Sequence, residues 1–178
     1  MTIKKQNFFV LTGGPGVGKT TLIRHLQALG ELTVEENARA VIRDEAAAGG
    51  RGVPWLDNDR FVDLTFRRDL ADFESRAGET RRVFFDRGLF DMVGANGSTP
   101  PLALVEAVRR RRYNRGVFVF PPWREIYATD AERRQDWDEA ERTFDLVCAT
   151  LPKLGYEPVV VPIGTVEERA AFVRSRAV

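Results

Sequence analysis

Histidine and cysteine are nearly missing from this chain of 178 residues, which contains one of each, His25 and Cys148. A single cysteine excludes a disulfide within the chain. His25 falls beyond the start of the first helical stretch, where nothing in the sequence supports a histidine metal centre or a Ser-His triad. Long hydrophobic runs are missing too, and the apolar stretches of a few residues fall far short of the roughly 20 needed to span a bilayer. Met1-Thr2-Ile3-Lys4-Lys5 lacks the apolar core of a signal peptide, so a cytoplasmic protein is expected. Charge of one sign is not in excess. Lys and Arg number 27 against 26 Asp and Glu, a net +1, so no overall field draws the chain to nucleic acid or an anionic membrane. Repeats, low-complexity segments and linkers are also lacking. What remains is 43% hydrophobic and 30% charged, ordinary for a soluble globular protein. One domain over residues 1–178 with a sizeable core is expected.

The most informative segment is Gly13-Gly14-Pro15-Gly16-Val17-Gly18-Lys19-Thr20, followed by Thr21 and preceded by Phe8-Phe9-Val10-Leu11. An apolar strand delivers the chain to a glycine-rich turn that opens a helix near Lys19. Glycines permit positive φ and close backbone approach, so successive N–H groups can converge on phosphate oxygens. The helix N-terminus adds partial positive charge at the same place. Lys19 then reaches the β- and γ-phosphates, and the Thr20 hydroxyl is a ligand for Mg²⁺. Nucleoside triphosphate binding at Gly13 to Thr21 is the expectation.

Five apolar runs read as strands: Asn7 to Thr12, Leu32 to Glu35, Arg82 to Asp86, Val117 to Phe120 and Pro158 to Pro162. Most lack polar alternation, as strands covered on both faces do. Helical stripes fill the gaps. Leu22, Ile23, Leu26 and Leu29 form one, stopped at Gly30. Ala38, Val41, Ile42 and Ala46 form a second, ended by Gly49-Gly50. Val62, Phe66, Leu70 and Phe73 form a third, with Asp57 and Asn58 as capping candidates. Thr99-Pro100 predicts the start of a helix that runs to about Arg112. Ala140, Phe144, Val147, Cys148 and Leu151 make the clearest stripe, with Asp136 as its cap, and put Cys148 in the core. Thr165 to Glu168 predicts a capping box for the last helix. Alternating strands and helices imply right-handed crossovers, a parallel sheet and helices on both faces, an α/β fold. Ligands of such sheets bind beyond the carboxyl ends of the strands.

Asp86 ends the third run and is expected to position Mg²⁺, directly or through water, or alternatively to cap the next turn. Arg87 stands where many P-loop ATPases carry a water-polarising glutamate, and its guanidinium suits bidentate contact with phosphate or an acceptor. Glu35 ends the second run, with Glu36, Asn37, Ala38 and Arg39 next. Glu35 can bind acceptor hydroxyls or Mg²⁺-bound water, or support the following helix N-terminus. Arg39 is a further substrate candidate. Trp55 reads either as a loop anchor or as a ring that stacks on an acceptor. After the fourth run a proline break and arginines, over about 122–137, match a phosphate-covering lid with Arg133 and Arg134 on the transferred group. A solvated helix with paired charges is the alternative. Arg109 to Arg112 complement a helix C-terminus, and they alone would support a nucleic-acid partner.

Together these residues resemble the small P-loop AAA-domain ATPase-like and ATP/GTP-binding proteins related to the nicotinamide riboside kinase domain of a bacterial NAD regulator. The supports are Gly13 to Thr20, Val34-Glu35-Glu36-Asn37-Ala38-Arg39, Phe84-Phe85-Asp86-Arg87-Gly88, Tyr113-Asn114-Arg115, Pro121-Pro122-Trp123 and Asp130-Ala131-Glu132-Arg133-Arg134-Gln135. The Asp86-Arg87 pair is also similar to that of thymidylate kinase-like enzymes. The resemblance implies a three-layer P-loop NTPase fold with a five-stranded parallel sheet in the order 2-3-1-4-5. It implies a base site near Pro162-Ile163-Gly164-Thr165, with ATP as the expected nucleotide and GTP left open.

The expected activity is Mg²⁺-dependent transfer of a γ-phosphate to a nucleoside, nucleotide or similar hydroxyl acceptor. The catalytic set is then Lys19, Asp86, Arg87, Arg133 and Arg134, with the acceptor between Glu35-Arg39 and Asp86-Arg87 and Trp55 on its far wall. The alternative is an ATP- or GTP-hydrolysing switch protein without a small-molecule acceptor.

Overall fold

The computed structural model describes residues 1–93, 97, 99–126 and 137–178. After a two-residue strand, Ile3–Lys4 (β1), the chain alternates between strands and helices: Phe8–Gly13 (β2), Lys19–Ala28 (α1), Leu32–Val34 (β3), Asn37–Ala47 (α2), Asn58–Ser75 (α3), Val83–Asp86 (β4), Leu102–Arg110 (α4), Arg111–Arg112 (β5), Gly116–Phe120 (β6), Trp137–Thr150 (α5), Glu157–Val160 (β7) and Val166–Arg176 (α6). By contacts it divides into two compact units. One contains Gln6–Glu35, Thr80–Asp86 and Tyr113–Val178, and the other Met1–Lys5, Glu36–Glu79 and Arg87–Arg112.

The first unit holds a five-stranded sheet in the order β3-β4-β2-β6-β7, every pair parallel. Counting only its own strands, that is 2-3-1-4-5, the order implied by the resemblance. All six residues of β2 are buried, as befits the central strand of a sheet covered on both faces. Side chains alternate across it. Phe9 and Leu11 join Phe84, Phe118 and Phe120 in one core with Leu22, Ile23 and Leu26 of α1 and Ala170 and Val173 of α6. Phe8, on the opposite face, packs on Phe85 at 5.0 Å between ring centres, and Phe85 meets Tyr113 edge-on at 5.3 Å. Each such buried side chain contributes about 1.5–3 kcal/mol. The parallel strands bring the ends of β2, β3 and β4 to one edge of the sheet, which is where Gly13, Val34 and Asp86 stop.

The stripe on α5 is shallower than its pattern suggests. Ala140 and Leu151 are buried, whereas Phe144, Val147 and Cys148 are half-buried and Leu146 is exposed. Cys148 is therefore at the margin of the core. Its proposed cap, Asp136, lies outside the described residues. The C-terminal capping box forms as expected, Thr165 N donating to Glu168 Oε2 at 2.8 Å and Glu168 N to Thr165 Oγ1 at 3.2 Å.

In the second unit α3 buries Phe61, Val62, Phe66 and Phe73, and its first turn is capped by Asp57, which accepts from Arg60 N at 3.0 Å. The expected helix, with Thr99 as its cap, Pro100 as its first residue and its end at about Arg112, is shorter at both ends. It starts at Leu102 with Pro101 as its cap residue, and it stops at Arg110. Arg111 and Arg112 leave it to pair with Ile3 and Lys4 in a two-stranded parallel sheet, and Lys5 N donates to Arg112 O at 2.8 Å. Backbone pairing here overrides helix continuation. Among the described residues no helix is long and apolar enough to cross a membrane.

Candidate functional site

Beyond β2 the chain turns through the glycine-rich loop into α1. Gly13, Gly16 and Gly18 there all have positive φ. Gly13 has φ +137 and a Cβ on it would stand 2.6 Å from Phe120 O, while Gly18, the residue before α1, has φ +80. Both backbones sit where side chains are strained. Lys19 bends back over the loop, its Nζ donating to Gly14 O at 2.8 Å and Gly13 O at 3.2 Å, and it is only 6% exposed. Thr20 Oγ1 lies 3.4 Å from Asp86 Oδ2, and Asp86 is buried at the end of β4. Loop, ammonium, hydroxyl and carboxylate thus gather in one unit, at residues 66 positions apart in the chain. Thr21 is exposed on the first turn of α1.

At Asp86-Arg87 the chain passes from the first unit to the second. Arg87 has φ 73 and is the only non-glycine with positive φ among the described residues. Its Nε donates to Glu36 Oε1 at 2.7 Å, and Arg39 Nε donates to Glu36 Oε2 at 3.2 Å. Glu36 therefore orients both arginines. Glu35, the carboxylate favoured from the sequence, is exposed. Two adjacent glutamates at a strand end cannot be told apart by pattern, since only the turn after β3 decides which faces the arginines. Trp55 occupies the turn before α3 and is 48% exposed.

Sequence pattern also missed a carboxylate cluster beside this arginine pair. Asn37 Nδ2 donates to Asp69 Oδ1 at 2.9 Å and to Asp72 Oδ2 at 2.7 Å. Burial pushes the Asp69 carboxyl up to about 7; the Asn37 hydrogen bond opposes this, and the charges of Asp91, Asp72 and Glu36 add to it. Asn37 at the start of α2 and Asp69 in the middle of α3 carry no motif, and their meeting depends on how the two helices pack.

Of the expected lid, the described ends are Pro122 to Ile126 and Trp137, joined by the Arg124 guanidinium 4.6 Å over the Trp137 ring. Arg133 and Arg134 lie outside the described residues. A further basic residue unassigned in the sequence, Arg169 on α6, is buried and donates from Nη1 to Val17 O at 3.2 Å. His25 is half-buried on α1, and no role is assigned to it.

No curated protein sequence matches the chain significantly. Solved structures do share its fold. A shikimate kinase from Acinetobacter baumannii in complex with shikimate is 16% identical, with 98% of this chain and 92% of that one aligned at a TM-score of 0.54. A thymidylate kinase from Ehrlichia chaffeensis is 15% identical over 97% of both chains, at 0.60. A deoxyadenosine kinase from M. mycoides with bound dATP is 12% identical over 95% of this chain and 97% of that one, also at 0.60. At these identities the likeness extends to the fold, a kinase-like P-loop α/β architecture. The profile that matches residues 8–169 is that of an AAA domain. Loop, sheet order and profile agree, and the chain belongs to that AAA domain family of P-loop proteins.

Proposed function

We propose that the chain is a Mg²⁺-dependent phosphotransferase that binds ATP at Gly13 to Thr21 and passes the γ-phosphoryl group to a small hydroxyl acceptor. The observation that carries this reading is the Thr20 hydroxyl 3.4 Å from the Asp86 carboxylate, on the loop that also presents Lys19. The donor set fits the ion. Both groups offer hard oxygens, and Mg²⁺ is commonly held by one or two carboxylates together with substrate phosphates, not by a full protein cage. When bound, Mg²⁺ neutralises charge on the β- and γ-phosphates.

The chain's own groups supply the rest. Loop N–H groups and the start of α1 hold the phosphates, and Lys19 compensates charge on the γ-phosphate. Asp86 holds the ion or takes the acceptor's hydroxyl proton as the acceptor oxygen bonds to phosphorus and the bond to the ADP oxygen breaks. Arg87, oriented by Glu36, suits an anionic group on the acceptor, with Arg39, Glu35 and Trp55 as further contacts. Arg133 and Arg134 are assigned to the transferred phosphoryl group on sequence position alone. A nucleoside, a nucleotide or a similar hydroxyl metabolite is the acceptor class, and the arginines suit one that also carries an anionic group, as a nucleotide does. The shikimate, thymidylate and deoxyadenosine kinases that share the fold support a small acceptor.

One observation favours a second reading. Arg87 and Arg39 are both ion-paired to Glu36, and if that pairing is their whole purpose, the protein hydrolyses or senses a nucleotide with no acceptor. Incubation with γ-labelled ATP, Mg²⁺ and pooled metabolites separates the two. A labelled small molecule formed by wild type and not by Lys19→Ala is the result expected of a kinase. Labelled inorganic phosphate alone across a broad pool contradicts it and favours the switch.

A further inference from the structure

A buried arginine lies behind the phosphate loop. Arg169 is 5% exposed, although guanidinium is among the costliest groups to remove from water. Its three described contacts all bear on the nucleotide side of the first unit. Nη1 donates to the carbonyl of Val17, within the loop, at 3.2 Å. Nε donates to Thr165 O, at the cap of its own helix, at 3.4 Å. The guanidinium carbon lies 5.3 Å from the centre of the Trp123 ring, at the root of the segment that follows β6. The closeness to the loop also appears at Gly18, where an added Cβ would fall 2.7 Å from Nη1 and 3.2 Å from Nη2. Among the described residues no carboxylate pairs with it, and burial pulls the guanidinium below its ordinary pKa.

A phosphate loop works by aiming backbone N–H groups inward, so its carbonyls must point away and be satisfied elsewhere. Arg169 does this for Val17. Its charge also makes the bond stronger than a neutral one, and the aromatic face of Trp123 holds the guanidinium plane.

We infer that Arg169 is a positioning residue of the nucleotide site: by holding the Val17 carbonyl from behind, it fixes the loop in its phosphate-binding form and ties that form to α6 and Trp123. The ligand class it serves is the polyphosphate group, not the base. This rests on the proposal that the loop binds a nucleoside triphosphate.

The test compares two probes, Mg·ATP and Mg·tripolyphosphate, by calorimetry on wild type, Arg169→Met and Arg169→Lys, well below each variant's unfolding midpoint. Arg169→Met keeps the stem and loses every donor. It is expected to weaken both probes by the same factor, about three- to tenfold. Arg169→Lys keeps the charge but cannot reach Val17 and Thr165 with one planar group, so it should fall between the two. Equal affinity of wild type and the variants for both probes overturns the inference and leaves Arg169 a structural residue. Loss for ATP with tripolyphosphate unchanged overturns it as well, since that marks a base contact. Should Arg169→Met fail to fold, Arg169→Lys decides alone, and wild-type affinity for both probes contradicts the inference. If wild type binds neither probe, the nucleotide-binding proposal itself has failed.

Discussion

Arg87 donates to Glu36 at 2.7 Å while its own backbone stands at φ 73. A left-handed backbone costs a non-glycine residue about 1–3 kcal/mol, and the charged hydrogen bond offsets part of it. Glu36→Ala, which deprives Arg87 and Arg39 together, is expected to lower unfolding free energy by about 1–3 kcal/mol. Glu35→Ala, at an exposed side chain, should change it by no more than about 0.5 kcal/mol. Urea denaturation of the two variants checks this, and equal effects would contradict the assignment of Glu36 as the hub. Arg87→Gly should be less destabilising than Arg87→Ala by about 1 kcal/mol, because glycine adopts that φ freely.

Gly18 and Gly30 have nearly the same φ, +80 and +84, but different surroundings: Gly18 is against Arg169, and nothing comes within 4 Å of a Cβ on Gly30. Alanine at either position carries the strain of positive φ, about 1 kcal/mol. Only at Gly18 must a buried guanidinium also move. Gly18→Ala is thus expected to lower the melting temperature more than Gly30→Ala, and the reverse order would contradict the packing of Arg169 on the loop.

Asp69 sets a pH dependence. Its folded pKa of about 7 lies above its ordinary value of 3.8, so the folded state binds the proton more tightly. Stability from this group is full below about pH 4 and is lost as pH rises through 7. The full shift corresponds to roughly 4 kcal/mol, and the residual solvent contact of a half-buried group reduces this to about 1–3 kcal/mol. Asp69→Asn should remove that slope. Unfolding free energies at pH 5 and pH 8 measure it, and an unchanged slope in the variant would show that another group titrates.

Much of the fold was legible because most strands of the five-stranded sheet are apolar and the helices have clear stripes. Phe8 to Leu11 read as an apolar strand leading into the phosphate loop, and Gly30, Asp57 and Thr165 each marked a helix end by known backbone chemistry. Arg111 and Arg112 were not legible, because their strand exists only by pairing with Ile3 and Lys4, over a hundred residues earlier. The phosphate loop could be read from local sequence, since its geometry is set by consecutive glycines. The Glu36 hub, the Asn37-Asp69-Asp72 cluster and Arg169 could not. Each depends on where a helix meets a loop or another helix in space, and a polar residue looks the same in sequence whether it faces water or a buried partner.

Thr20 and Asp86 should act on ATP affinity through the metal. Thr20→Val and Asp86→Asn are expected to lose most of the gain in ATP affinity that Mg²⁺ provides, with affinity in EDTA close to wild type. Titrations with and without Mg²⁺ test this, and a variant that keeps the full metal effect would exclude its residue as a ligand.

The most direct test of nucleotide binding is calorimetric titration of wild type and Lys19→Ala with Mg·ATP. Losing a charge-assisted contact to phosphate costs roughly 1.5–3 kcal/mol, so the variant should bind about tenfold to a hundredfold more weakly. Equal affinity in the two proteins, or no binding by wild type, would contradict a nucleotide site at Gly13 to Thr21.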